Sequence, residues 1–213
     1  MTSNDRPRRA PDPARLRVEL ADRRSALPAD EVAACSQRIV THLAAHSQVR
    51  AATRRGPVGV YWPVRGEPDV RLGGPDHGAD PLPTPHGLTL PGHPAAEPQL
   101  RSWTADTELA VAWRTLRYPA DGAPVVAPVD HGMILVPALA FDHRGNRLGN
   151  GAGWYDRLLA GRTGQPAEAG PLLVGVAHGF QVVEILEAQA WDVPMDLIVT
   201  PDGVMRGYRS RVG

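Results

Sequence analysis

Three glycines on alternate positions, Gly149, Gly151 and Gly153, stand directly before the aromatic pair Trp154 and Tyr155 and the acid Asp156. Glycine lets backbone N–H groups approach an anion with no Cβ in the way, and the first turn of a following helix adds unpaired N–H groups at the positive end of its dipole. A phosphate suits such a junction. Asp156 is placed to hold a cation beside it, and Arg147, just before the glycines, to clamp it with two parallel N–H bonds. Each feature also has a plainer use. A glycine-rich stretch before a helix is an ordinary tight turn, Asp156 is favoured by the dipole wherever a helix begins, and Arg147 can anchor the turn by an ion pair.

Composition narrows the chemistry. All 23 basic residues are arginine, which removes a P-loop lysine, a Schiff base and a lysine general base. Any cationic help to a phosphate must come from arginine, magnesium or backbone dipoles. No Ser–His–Asp motif, Walker loop or nucleotide-binding GxGxxG after a first strand is present. The histidines at 77, 86 and 93 lack metal-ligand spacing and read as loop residues rather than a zinc site. The single cysteine, Cys35, excludes an internal disulfide and a multi-thiolate metal site, and it reads as a small apolar packing residue in a reducing compartment. A formal net charge of zero gives no global field for nucleic acid or an acidic membrane surface. No apolar run approaches the roughly 20 residues of a membrane span, and the N-terminus lacks the apolar core of a secretory signal. A cytoplasmic protein, a monomer with small-molecule ligands, is expected.

The elements that must position these residues follow from pattern. Residues 1–13, MTSNDRPRRAPDP, are charged, proline-rich and nearly free of apolar side chains, and read as a disordered lead. Leu16, Leu20 and Leu27 fall at helical spacing up to Pro28. Asp30 then resembles an N-cap for a helix with Val32, Cys35, Ile39 and Leu43 on one stripe. Short apolar strands are expected at 58–62, 88–90, 133–139, 172–177 and 197–200, with helices at 154–161 and 181–188. Residues 71–87, punctuated by Gly and Pro, read as a surface loop. The whole predicts one domain over 14–213 of α/β class. Its fold is a three-layer, Rossmann-like, open and largely parallel sheet flanked by helices, with ligands at the carboxyl ends of the strands.

The segment LVPALAFDHRGNRLGNGAGWYDRLL, residues 135–159, resembles the signature of the 5-formyltetrahydrofolate cyclo-ligase family, with Trp154 in place of a first tyrosine. VGVYWPVRGEPDV (58–70) and LLVGVAHGFQVVEILEAQAWDVPMDLIVT (172–200) are similar to that family's early strand and loop and to its last strand, helix and strand. The resemblance implies ATP- and Mg²⁺-dependent closure of 5-formyltetrahydrofolate to 5,10-methenyltetrahydrofolate, with phosphorylation of the formyl oxygen and release of ADP and phosphate. It implies an ATP site of Arg147, Leu148, Gly149, Asn150, Gly151, Ala152, Gly153, Trp154 and Tyr155. It implies a folate site of Trp62, Glu67, Gly151, Trp154 and Tyr155, with Arg147, Tyr155 and Asp156 in the reaction and Asp156 and Asp192 on the metal.

Several residues keep a second reading. Asp192 before Val–Pro is also a turn former, Glu67 a surface-loop acid, and Trp154 and Tyr155 also core anchors at the head of a helix. The chain departs from the family pattern where a lysine contacts ATP: that position is Pro13, ahead of Leu16–Arg17, so Arg15 or Arg17 is the expected substitute. Ala152 stands where lysine or glycine is usual, and Tyr118–Pro119 where Glu–Pro is usual. A non-catalytic folate- or nucleotide-binding relative, and a sugar-phosphate or CoA enzyme on a similar fold, are the alternatives. Coupling of turnover to ADP release separates them.

Overall fold

The computed structural model describes residues 10–71, 82–113, 115–163 and 170–207. Helix α1 (Pro13–Ser25) starts where the Asp12 side chain accepts the Ala14 N–H at 3.2 Å and Pro13 takes the first position, where a missing N–H costs nothing. The helix therefore begins inside the stretch expected to be disordered, of which residues 1–9 lie outside the described residues. Helix α2 (Ala29–Ala45) starts at Ala29 behind Pro28, with no side-chain cap. Asp30 sits in its first turn rather than at the cap, where its charge still meets the helix dipole. A short α3 (Ser47–Thr53) leads into the sheet.

The strands are β1 (Val58–Gly59), β2 (Leu88–Pro91), β3 (Leu100–Trp103), β4 (Leu109–Ala112), β5 (Leu116–Pro119), β6 (Val125–Val126), β7 (Met133–Pro137), β8 (Ala140–Asp142), β9 (Arg147–Leu148), β10 (Leu172–Val176), β11 (Val182–Val183), β12 (Leu197–Thr200) and β13 (Gly203–Arg206). Eight of them form the main sheet, in the order β13-β12-β10-β7-β1-β2-β3-β6. The central run from β12 to β2 is parallel, while β13, β3 and β6 add antiparallel edges. The continuous burial of β7, β10 and β12 is that of strands covered on both faces. Ile39 and Leu43 of α2 enter the core with Val58, Met133, Leu135, Val174 and Val199. On the other side Phe141, Leu158, Leu159, Leu173 and Ile198 form a second cluster. This is the layered, largely parallel α/β fold expected from the sequence.

Three local expectations are corrected. The strand at 133–139 is two: β7 stops at Pro137, and the chain turns into β8 of a separate three-stranded sheet, β11-β8-β9. The helix at 154–161 is α4 (Trp154–Leu158) followed by a 3₁₀ turn at Ala160–Arg162. The helix at 181–188 does not form. A 3₁₀ turn at Gly179–Gln181 gives way to β11, because the β-branched pair Val182–Val183 joins β8 and the Leu186 N–H is held by Asp142 Oδ2 at 3.0 Å. Of the loop expected at 71–87, residues 72–81 lie outside the described residues. No helix among the described residues is long and apolar enough to cross a membrane.

Candidate active site

A cavity of about 360 Å³ opens where β1, β2 and β7 end, the carboxyl edge of the parallel sheet. Its walls come from the 61–67 segment after β1, Pro91 and Gly92 after β2, the β4–β5 hairpin, and the 147–156 segment from β9 into α4.

The glycine loop is shaped through its carbonyl groups. Arg17 of α1 donates from Nε to Gly149 O at 3.1 Å, Arg157 donates from Nη1 to Ala152 O at 2.9 Å, and the Arg157 N–H donates to Gly153 O at 3.1 Å. The amides of the same loop are left as its open donors among the described residues. Gly151 and Gly153 have φ of +93° and +62°, conformations that a side chain would strain. Because α4 spans five residues, its dipole adds little, and anion binding here rests on loop amides and arginines. Upstream, the buried Asp142 accepts from Arg144 N, Asn146 N, Asn146 Nδ2 and Leu186 N at 2.9–3.0 Å, which builds the turn that delivers Arg147.

Arg147 donates from Nη1 to Val193 O at 2.6 Å and pairs through Nη2 with Asp156 Oδ1. The two residues expected to hold phosphate and cation thus pair with each other. Asp156 lines the cavity. Asp192 does not: its Oδ2 accepts the Gln189 N–H at 2.8 Å in an exposed turn. Arg17 reaches the loop, whereas Arg15 points to solvent from the exposed side of α1. No group of three His, Cys, Asp or Glu side chains suited to a metal occurs among the described residues. His86 Nε2 donates to Arg54 O at 3.0 Å and His93 packs edge-on against Tyr118, while His77 lies outside the described residues.

The other wall is dry. Glu67, at 6% exposure, receives Arg24 Nη2 on Oε1 at 3.2 Å and the Val64 N–H on Oε2 at 3.1 Å. Burial pushes its carboxyl up, opposed mainly by Arg24. Above it, Trp62 meets Trp103 edge-on at 6.3 Å, and the guanidinium groups of Arg71 and Arg117 lie over its ring at 4.2 and 5.5 Å. Trp154 and Tyr155 pack edge-on at 4.9 Å and both line the cavity. Burial, then the charge of Glu67, push the Tyr155 phenol far above its ordinary value, so it stays neutral. Gln181 serves the frame, donating from Nε2 to Ala138 O and Leu139 O at 2.9 Å beside the end of β7.

Sequence reasoning did not single out Arg24 or the β4–β5 hairpin. Arg24 had a readable signal: it follows Leu16 and Leu20 at four-residue spacing, so an arginine occupies the buried stripe of α1. The hairpin brings Trp113, Leu116, Arg117 and Tyr118 to the cavity, with Trp113 exposed at φ +46°. Nothing local in its residues marks it as a wall.

Residues 81–201 match the model of the 5-formyltetrahydrofolate cyclo-ligase family. The 5-formyltetrahydrofolate cyclo-ligase of Escherichia coli K12 is 43% identical over 72 residues, 34% of this chain and 37% of that protein. The mitochondrial enzyme of that name from Arabidopsis thaliana is 37% identical over 83 residues, 37% of this chain and 29% of that protein. The chain thus spans only 29–37% of the length of these relatives. Among solved structures, 5,10-methenyltetrahydrofolate synthetase of Aquifex aeolicus superposes with a TM-score of 0.72 at 30% identity, over 94% of this chain and 95% of that one. The Mycoplasma pneumoniae synthetase superposes at 0.63 with 22% identity, over 90% and 99%, a likeness of fold.

Proposed function

We propose that this chain, which belongs to the 5-formyltetrahydrofolate cyclo-ligase family, closes 5-formyltetrahydrofolate to 5,10-methenyltetrahydrofolate at the expense of ATP. The observation that carries the reading is the two-sided cavity, with open amides and arginines on one wall and a buried carboxylate among aromatic rings on the other.

A formamide oxygen is a poor leaving group. Transfer of the γ-phosphoryl group to that oxygen leaves ADP and an iminium phosphate; the neighbouring folate nitrogen attacks the carbon, loses its proton, and phosphate departs. The protein needs no covalent nucleophile, and its tasks are alignment, charge stabilisation and exclusion of water. The segment from Arg147 through Leu148, Gly149, Asn150, Gly151, Ala152 and Gly153 is the proposed phosphate cradle, with Arg17 holding the loop from α1. Glu67 accepts the paired N–H donors of the pterin ring, and Trp62, Trp154 and Tyr155 supply apolar and aromatic contact. Tyr155, held neutral, donates a hydrogen bond toward the reacting groups.

The residues fit a magnesium ion that keeps phosphate and water ligands, since such an ion takes only one or two protein carboxylates and Asp156 lines the cavity beside the loop. Asp156 would hold such an ion, which would supply positive charge against the triphosphate, and Arg147 beside it would meet phosphate oxygens.

The test is absorbance of the methenyl product with purified protein, 5-formyltetrahydrofolate, ATP and Mg²⁺. Product is expected, and complete chelation is expected to stop it. Undiminished product after chelation contradicts the metal assignment, and no product from folded protein favours a non-catalytic, ligand-binding relative.

A further inference from the structure

Two acids line the cavity among the described residues, and they differ in surroundings. The Asp156 side chain is 34% exposed, while that of Glu67 is 6% exposed. A carboxylate kept that dry needs a partner to stay ionised. Its partner is Arg24, itself 2% exposed, in the last turn of α1. Arg24 spreads its fork over three targets. Nε donates to Arg65 O at 3.1 Å, Nη1 to Ala138 O at 3.2 Å, and Nη2 meets Glu67 Oε1 at 3.2 Å.

The turn that carries Glu67 is built around this arginine. Arg65 and Gly66 have φ of +49° and +74°, and a Cβ on Gly66 would come within 2.3 Å of Arg24 O. His178 grips the far side, donating from Nε2 to Gly66 O at 2.8 Å. The Glu67 carboxylate therefore has one lone pair on Oε1 taken by Arg24 and one on Oε2 taken by the Val64 N–H. An ionised carboxylate has about four acceptor sites, so one remains on each oxygen. Those two form a parallel acceptor pair, the complement of two adjacent N–H donors on a planar ring.

We infer that Arg24 is the positioning residue of the reduced-folate subsite: it fixes the plane of the Glu67 carboxylate and holds it ionised, so that both remaining acceptors face the ring's N–H edge. The inference rests on the function proposed above. A lysine in its place carries the charge but not the fork, and an apolar residue carries neither. Protonation of Glu67 turns one acceptor into a donor and destroys the match.

The groups that face Glu67 are Arg24 from α1, Arg65 in its own turn, Tyr61 after β1 and Tyr155 of α4, with Asp69 and His178 nearby. Both phenols are pushed up by burial and stay neutral through the working range. Burial pushes the His178 imidazole down. The acid limb of folate binding then reports on Glu67 together with His178, which the Arg24 charge also holds down.

The experiment is equilibrium binding of 5-formyltetrahydrofolate, and separately of ATP, to the full chain by tryptophan fluorescence between pH 5 and 8, with melting temperature as the check on folding. Arg24→Met is expected to weaken folate binding about tenfold or more, leave ATP binding within about twofold, and move the acid limb up by about one pH unit. Arg24→Lys is expected to return the limb to its wild-type position while folate binding stays about three- to tenfold weaker. A folded Arg24→Met protein with wild-type folate affinity and an unmoved limb overturns the inference. Where Arg24→Met unfolds, Arg24→Lys decides: an equal change for ATP and folate, or none, overturns it. Wild-type protein that binds no reduced folate overturns the functional reading and this inference together, whereas wild-type binding with an indifferent Arg24 overturns this inference alone.

Discussion

The glycine loop at 149–153 and the turn at 64–67 are both fixed by arginines of α1, and to opposite effect. Arg17 holds a carbonyl of the loop, so the loop is left with amide donors and an ion pair between the buried Arg147 and the part-exposed Asp156. Arg24 holds a carboxylate and two carbonyls around the turn, so the turn presents a dry acceptor. One helix thus sets a donor wall and an acceptor wall in one cavity. Tyr155 registers both, its phenol raised by Glu67 and lowered by Arg147.

The sharpest way to break this contrast is to neutralise the acceptor wall. Glu67→Gln replaces an acceptor pair by one acceptor and one donor. Reduced-folate affinity should fall about thirtyfold or more, the scale of hydrogen bonds to a charged group, with ATP affinity unchanged in a titration of each ligand. A comparable loss for ATP would mean that the walls are not separate.

Asp156→Asn comes next. Turnover should fall at least about tenfold through loss of a cation ligand, while the melting temperature moves by only a few degrees, since the asparagine carbonyl can still accept from Arg147, which keeps its bond to Val193 O. Lost thermal stability with normal specific activity would assign Asp156 to the fold. Arg17→Met should then raise the Michaelis constant for ATP about fivefold and leave that for folate alone. An equal rise in both would mean that Arg17 supports the cavity as a whole rather than the phosphate loop.

The smallest effect concerns the frame. His131 donates from Nδ1 to Ala127 O and receives the Thr89 hydroxyl on Nε2, and the His178 ring accepts the Gln181 N–H while Nε2 donates to Gly66 O, so both rings are held neutral. Burial lowers both below the ordinary 6.5. Over the window from 6.5 down to the lower folded values the unfolded chain binds protons that the folded chain refuses. Stability should be full above pH 6.5 and fall as pH drops, by about 2–4 °C in melting temperature for each kcal/mol lost. A flat melting profile between pH 7 and 5.5 would contradict it.

Much of the donor wall was legible in the chain. Alternate glycines, Arg147 and Asp156 sit within ten consecutive residues, so their meeting is local. The parallel core was legible for a similar reason, because strands such as 172–176 and 197–200 are apolar on both faces. The acceptor wall needs Arg24, Glu67 and Ala138, separated by 43 and then 71 residues in sequence, and only the fold makes them neighbours. The helix expected at 181–188 failed because Gln181 and Leu186 are claimed by Ala138, Leu139 and Asp142, tertiary bonds invisible to helical periodicity. Asp192 read as a second metal ligand with a turn-forming role as its strong competitor, and its carboxylate accepts the Gln189 N–H within a turn.

The central claim is that both walls serve one reaction, and it is tested most directly by following methenyltetrahydrofolate absorbance and ADP release together in one sample of wild-type protein with 5-formyltetrahydrofolate, ATP and Mg²⁺. The account predicts that the two products appear at the same rate, one ADP for each methenyl group, with neither formed when the other ligand is omitted. Methenyl product without ATP, or ADP released without folate at the same rate, would contradict it.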